Sequence, residues 1–399
     1  MRRRGKIMKV YLDNSATTRE FDEVRKLIYE MSGSAYGNPS SLHSMGLEAE
    51  KLLKLARKKV ALGWNADEDE VIFTSCGTES DNMALFGIAE SRKRKGRRII
   101  STAVEHPAVL EPLCRLEQQG YEIIRVGVDK ECRPDMEALK NSINEETILI
   151  SVMAVNNEIG TLMPIKEIGE LKAEYNEGKG TEIVFHTDAV QAFGKLRLDT
   201  KKELKNVDLM TSSAHKIHGP KGVGALFIRK GIKLPPLLPG GGQERGLRSG
   251  TENMTGISGF GLATELCMRN LEERTAKISA MRDRLREGLS SEIKDIRLNS
   301  PEDGICSILN VSFIGTRGEV ILHDLETAGI FVSTGSACSS NKSRQSGSHV
   351  LNAMKLGKRE IEGAIRFSLS EFTSEEETDY TVLKVKEAVE RFRRLGSFR

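Results

Sequence analysis

The feature that most constrains this chain is a succession of short, continuously apolar segments separated by amphipathic ones. VIFTS, RRIISTAV, YEIIRVGV, ILISVMAV, EIVFHTDA and VDLMTSSA follow one another between Phe21 and Gly261. They are rich in Ile and Val and lack the in–out alternation of a half-solvated strand. Such segments are buried on both faces, which requires a mostly parallel sheet covered by helices on both sides. GVGALFIRK follows VDLMTSSA after only a short turn, so these two form a strand pair. Past Gly261 the pattern changes to one long charged helix through Leu266 to Leu289, after which ILNVSFIG and IRFSLS read as strands with helices between and after them. The expected fold is α/β: a large domain over residues 21–261, and a smaller α+β domain made of residues 1–20 and 262–399. At 399 residues the chain exceeds the size at which a single core usually divides.

Charge excludes little but narrows the class. Sixty Lys and Arg against 57 Asp and Glu leave a formal charge of +3, too balanced for a protein built around nucleic acid or a membrane surface. The basic runs MRRRGK, SRKRKGRR (Ser91 to Arg98) and RFRRLGSFR read as solvated faces or termini. KVYLDNSATT, after the basic start, is not the apolar core of a signal peptide, and ILISVMAV is far too short to span a bilayer, so a cytoplasmic protein is expected. Six cysteines, Cys76, Cys114, Cys132, Cys267, Cys306 and Cys338, form no CxxC pair. Reduced thiols and no intrinsic metal site are therefore expected.

In open α/β sheets ligands sit beyond the carboxyl ends of the strands, and the residues there are unusually polar in this chain. Gly77 and Thr78 open a helix after VIFTS, where free amides and the helix dipole favour a phosphate; a plain threonine cap uses the same residues. His106 follows IISTAVE, Asn156 and Asn157 follow ILISVMAV, and Asp188 and Gln191 follow EIVFH. Ser213, His215 and Lys216 follow VDLMTS. A lysine at a buried strand end loses charge by desolvation and becomes an amine nucleophile. Each residue alone has an ordinary structural reading. Together, a phosphate cradle, an amine, a carboxylate and an imidazole are what pyridoxal phosphate requires.

Between Ser333 and Ser348 the sequence STGSACSSNKSRQSGS carries Cys338 on a polar, glycine-flanked segment. Cysteine usually packs as a small buried hydrophobe, so a thiol in such surroundings points to thiolate chemistry.

The chain resembles the cysteine desulfurases of the NifS and IscS kind, within the class V aminotransferases of pyridoxal-phosphate fold type I. The likeness runs through YLDNSATT, YGNPSSLHSMG, FTSCGTESDN, EHPAVL, NNEIG, HTDAVQAFGK, SSAHKIHGPKGVGAL, GGGQERGLRSGTEN, STGSACSS and RFSLSEFTSEEE, nearly end to end. The resemblance implies Lys216 as the lysine that carries the cofactor aldehyde, His106 stacked on the ring and sharing proton transfers, and Asp188 on the ring nitrogen. It implies Asn157 and Gln191 near the ring oxygen, and Gly77, Thr78, Ser213 and His215 around the phosphate. Thr251 would reach the phosphate of the other subunit in a homodimer. Arg366 would grip the carboxylate of L-cysteine, with Asn157 also at the substrate, and Cys338 would take its sulfur as a persulfide, releasing L-alanine. The sulfur acceptor implied is a protein such as an iron–sulfur scaffold, with which Cys338 could share a cluster ligand. His218 stands where many relatives carry tyrosine, and Val104 where threonine is common; neither position holds an assigned catalytic group. A selenocysteine lyase or a simple aminotransferase uses the same cofactor frame. A non-catalytic sulfur carrier or assembly scaffold is the reading from another class.

Overall fold

The computed structural model describes residues 8–334 and 347–396. In chain order its strands are β1 (Val10–Tyr11), β2 (Val71–Thr74), β3 (Arg98–Thr102), β4 (Glu122–Val126), β5 (Thr147–Ser151), β6 (Val184–Asp188), β7 (Leu209–Ser213), β8 (Gly224–Ile228), β9 (Ile296–Leu298), β10 (Ile308–Phe313), β11 (Ile330–Phe331) and β12 (Ala364–Ser368). Seven of them form one sheet in the order β2-β8-β7-β6-β5-β3-β4. Its pairs are parallel except where β8 meets β7 and β2, so every strand but β8 runs the same way. β5, β6, β7 and β8 are buried at every residue, as their apolar runs demand.

Each face of this sheet carries its own apolar layer. Ile72, Leu85, Ile88, Ile99, Leu113, Leu149 and Leu209 meet on one side, beneath α3 (Gly77–Arg92) and α4 (Pro107–Gln118). On the other, Trp64, Phe193, Phe227 and Phe260 pack with ring centroids 4.8 Å apart for Trp64 and Phe193 and 5.8 Å for Phe193 and Phe260. Gly63 faces Phe193 so closely that a Cβ there would lie 2.4 Å from the ring. A separate cluster gathers Val10, Leu12, Ile278, Leu285, Leu309, Phe313, Ile330, Phe367 and Val385 around the antiparallel sheet β12-β10-β9 and the parallel pair β1-β11. The first strand thus joins the C-terminal part of the chain, as a returning terminus.

The sequence suggested one long helix through Leu266 to Leu289. The structure has two, Met254–Arg269 and Leu271–Glu292, broken at Asn270, whose φ of −126° and ψ of 37° are not helical. The reason is a change of partner: the first helix buries Phe260, Ala263 and Cys267 against the large core, the second Ile278, Leu285 and Leu289 against the small one. A single straight helix cannot turn its apolar stripe to both. ILISVMAV likewise stops pairing as a strand at Ser151, after which Val152 and Ala154 still donate to the carbonyls of His186 and Asp188.

A buried ion pair fastens the segment that leads to Thr251. Arg57, on the helix Ser44–Leu62, holds both oxygens of Glu244 at 2.6 and 2.8 Å, and Glu244 also accepts the Phe73 amide at 2.8 Å. Removing one partner of such a pair strands a charge in the interior. Arg57→Ala is therefore expected to lower the unfolding free energy in urea by about 3 to 5 kcal/mol, whereas Lys54→Ala, which breaks an exposed pair with Glu50, should cost about 1 kcal/mol or less.

Candidate active site

Five strands deliver their following residues to one edge of the large sheet. The turn after β2 leads into α3 at Gly77, with Cys76 as an extended cap whose side chain makes no capping hydrogen bond. A Cβ on Gly77 would lie 2.9 Å from Val190 Cγ2, so only glycine lets this helix start so close to the residues after β6. The first amides of α3 carry the partial positive charge of the helix end. Opposite them Ser213, the last residue of β7, has a buried hydroxyl with no hydrogen-bond partner among the described residues. A buried unpartnered hydroxyl is costly unless something fills the site. His215, two residues on, hydrogen-bonds Thr17 Oγ1 at 3.2 Å; burial first, then Lys216, pulls it down to about 4, so its ring is neutral.

Lys216 ends a tight turn, Ala214–Lys216, immediately after β7. Its Nζ donates to the carbonyls of Ser15 at 2.6 Å and Ala16 at 2.8 Å. The same N-terminal segment is tied to the lysine turn again where Thr18 donates from both N and Oγ1 to the His215 carbonyl at 2.9 Å. Gln191 is buried and donates from Nε2 to the Ser15 carbonyl at 3.0 Å.

Asp188 closes β6, accepts the Val190 amide at 2.9 Å, and is pushed up to about 7, chiefly by burial and then by Asp81. Asp81, on α3, is itself buried and raised to about 7 by desolvation. Between them His186 touches Ser151 Oγ at 2.9 Å, Thr211 Oγ1 at 3.1 Å and Asp81 Oδ1 at 3.5 Å, and burial holds it down to about 4. His106 caps α4: its Nδ1 accepts the Ala108 amide at 3.1 Å, so the neutral ring carries its proton on Nε2. Burial, then Lys216 and His349, lowers it to about 4. Glu105, raised to about 8 by burial, takes Thr102 Oγ1 at 2.6 Å and the Met153 amide.

Arg366, on β12, is buried and reaches the carbonyl of Asn157 at 3.0 Å and Asp13 Oδ1 at 2.8 Å. Asn156, by contrast, is spent on the turn: its amide nitrogen donates to the Val104 carbonyl, and its oxygen accepts from Glu158 and Ile159. Thr251 is exposed, just past Gly250 at φ 116°, on a segment also held by Arg248 to Glu79 Oε1 at 2.9 Å. Cys338 lies outside the described residues. The flanks of its segment converge on this edge of the sheet: Ser333 exchanges two backbone hydrogen bonds with Arg366, Ser348 Oγ donates to Glu158 Oε2 at 2.5 Å, and His349 Nε2 to the Glu105 carbonyl at 3.0 Å. Sequence reasoning missed Asp81, Glu105 and His186. The one available signal was a polar residue inside or beside an otherwise apolar strand.

The chain matches the family model described as aminotransferase class-V over residues 10–381. It is 46% identical over 376 residues to cysteine desulfurase IscS of Clostridium botulinum, covering 94% of this chain and 92% of that one. It is 45% identical to cysteine desulfurase IscS of Methanosarcina thermophila, covering 97% and 93%. The chain belongs to the class V aminotransferase family, among its cysteine desulfurases. A solved NifS-like protein superposes with a TM-score of 0.89 at 40% identity, covering 96% of this chain and all of that one. A second, from Rickettsia africae, gives 0.85 at 29% identity, with the same coverage of both chains. Enzymes of this family use pyridoxal phosphate, and the crevice of this desulfurase suits it: the unpartnered Ser213 hydroxyl and the glycine-started helix match a phosphate, and the buried, proton-hungry Asp188 a ring cation.

Without a cation beside it, Asp188 should weaken the fold. Its carboxyl binds a proton more tightly folded than unfolded, so the stability it contributes is present in acid and lost as pH rises from about 4 toward 7. Cofactor-free Asp188→Asn is expected to melt a few degrees above the cofactor-free parent at pH 8, with the gap closing near pH 4. Differential scanning calorimetry at the two pH values checks this.

Proposed function

We propose that this chain is a pyridoxal-phosphate-dependent cysteine desulfurase that converts L-cysteine to L-alanine and passes the sulfur to Cys338. The observation that supports it most is the joint arrival of Lys216, Asp188, His106 and the Ser213 hydroxyl at one edge of the sheet, each after a different strand. Gly77, Thr78, Ser213 and His215 would hold the phosphate, Lys216 would carry the aldehyde, Asn157 and Gln191 would face the ring oxygen, and Asp188 would keep a proton on the ring nitrogen. The bound cofactor supplies an electron sink for the substrate's α-carbon.

The remaining work belongs to the side chains. Arg366 takes the substrate carboxylate: its guanidinium is already fixed by Asp13 and the Asn157 carbonyl, so little freedom is lost on binding. Lys216, whose amine would be free while substrate is bound, would serve as the base for the α-proton. Lowered to about 4, His106 is neutral at working pH and offers Nε2–H as a proton donor. Cys338, as thiolate, attacks the substrate sulfur. An S–S bond forms as the S–Cβ bond breaks, the electron pair goes to the carbon side, and protons complete alanine. Cys338 follows Ser333, which is paired to Arg366, by five positions, a chain contour of at most about 18 Å.

Two further elements belong to this reading. Tyr29, Tyr36 and Leu42 are 84%, 73% and 95% exposed, apolar side chains that a second copy of the chain would cover; across such an interface Thr251 would reach the partner's phosphate. The persulfide would be handed to an acceptor protein such as an iron–sulfur scaffold. Among the described residues no helix is long and apolar enough to cross a membrane.

The test separates proton chemistry from sulfur chemistry. A serine hydroxyl is hardly ionised at neutral pH, whereas a thiol is a few per cent thiolate. Cys338→Ser should still exchange the α-hydrogen of L-cysteine with deuterated solvent, but alanine and sulfide release should fall by at least about a thousandfold. Release of alanine and sulfide at the parent rate would remove Cys338 from its role and favour a lyase that cleaves the S–Cβ bond without a protein thiol.

A further inference from the structure

The residues that hold the cofactor are supported from behind by a second lysine. Lys195 lies four residues after Gln191, in the tight turns that follow β6, and its Nζ donates to Gln191 Oε1 at 3.1 Å. The other end of that amide, Nε2, donates to the Ser15 carbonyl at 3.0 Å, the same carbonyl that accepts Lys216. An ammonium cannot accept and a carbonyl cannot donate. Turning the amide over would set Oε1 against the Ser15 oxygen and Nε2 against the Lys195 ammonium, so only one orientation satisfies both neighbours.

We propose that Lys195 is a positioning residue that fixes the direction of the Gln191 amide, so that Nε2 is the end offered to the ring oxygen of the bound cofactor. This rests on the reading of the crevice given above, in which Gln191 faces that oxygen. Nε2 carries two hydrogens; one goes to Ser15 and the other is left for the cofactor. Lys195 does not reach the reaction itself. It shares with Lys216 a cavity of about 10 Å³, room for roughly one water, lined also by His218, Arg274, Ser307 and Glu371. Burial lowers it to about 8, so near neutral pH it is largely an ammonium. Cys267, Cys306, Arg274 and Glu371 are charged or titratable groups around it, together with Lys216 and His218 in the shared cavity and His215, on which its charge also acts. Its charge and the donor it orients both favour an anionic ring oxygen, so the two effects of removing it have the same sign.

The protein loaded with pyridoxal phosphate provides the test, because its visible chromophore titrates with the ring oxygen and reports on it without turnover. The groups facing that chromophore, Asp188, His106, His215, Lys216 and Arg366, are left untouched. Lys195→Met should raise the pH midpoint of the chromophore by about one unit and weaken cofactor retention about tenfold. Lys195→Gln, which keeps a donor but loses the charge, should move the midpoint the same way and serves if the methionine variant does not fold. A merely structural lysine would lower the melting temperature and leave the midpoint alone. The decisive arm is a double-mutant cycle: in a Gln191→Ala background, Lys195→Met should shift the midpoint by clearly less than in the parent, leaving only the share that its charge exerts directly. An unchanged midpoint in the single variants, or full additivity in the double, overturns the proposal while leaving the assignment of the crevice intact. A parent protein that takes up no pyridoxal phosphate overturns both.

Discussion

The constraint on which the rest depends is that six strands of the large sheet run the same way. Parallel pairing leaves no room for hairpins, so every connection between two of these six strands is a crossover, and each begins at the same edge. Gly77, His106, Asn157, Asp188 and Lys216 are far apart in sequence, yet all are among the first residues after a strand or its last one. Chemistry that needs an anion cradle, an amine, an acid and an imidazole together is assembled by topology. The single antiparallel member, β8, starts from this edge, and its Gly224 passes so close to Cys76 that a Cβ would lie 2.7 Å from the backbone carbon.

Burial then sets the charges. With little water at the strand ends, Asp188, Asp81 and Glu105 rise to between about 7 and about 8, while His106, His186 and His215 fall to about 4. Carboxyls and imidazoles are all driven toward neutrality, because desolvation penalises whichever form is charged. A cation brought to Asp188 reverses that penalty. The small core contributes the remaining positive charge through Arg366, which crosses to Asn157 and Asp13 and so joins the two layers at the site.

Much of this was legible in the sequence, for a physical reason. Continuous apolar runs dictate a buried parallel sheet, and the polar residues at their ends are conspicuous by contrast. What was not legible depends on neighbours distant in sequence. Asn156 and Asn157 look alike, but a turn consumes one amide while the carbonyl of the other meets Arg366. The break at Asn270 follows from which core each helix faces, and no local propensity reveals that. His186 reads as part of a strand, and its position between Asp81 and Ser151 appears only when α3 lies across the sheet. Lys195, likewise, gains meaning only beside Gln191.

The central claim is that the lysine at the end of β7, held to the Ser15 and Ala16 carbonyls, is the amine around which the site is built. Borohydride treatment of the protein loaded with pyridoxal phosphate, followed by peptide mass mapping, tests it most directly. The account predicts one pyridoxyl label per chain, on Lys216. A label on Lys195 or on a surface lysine, or none at all, would contradict it.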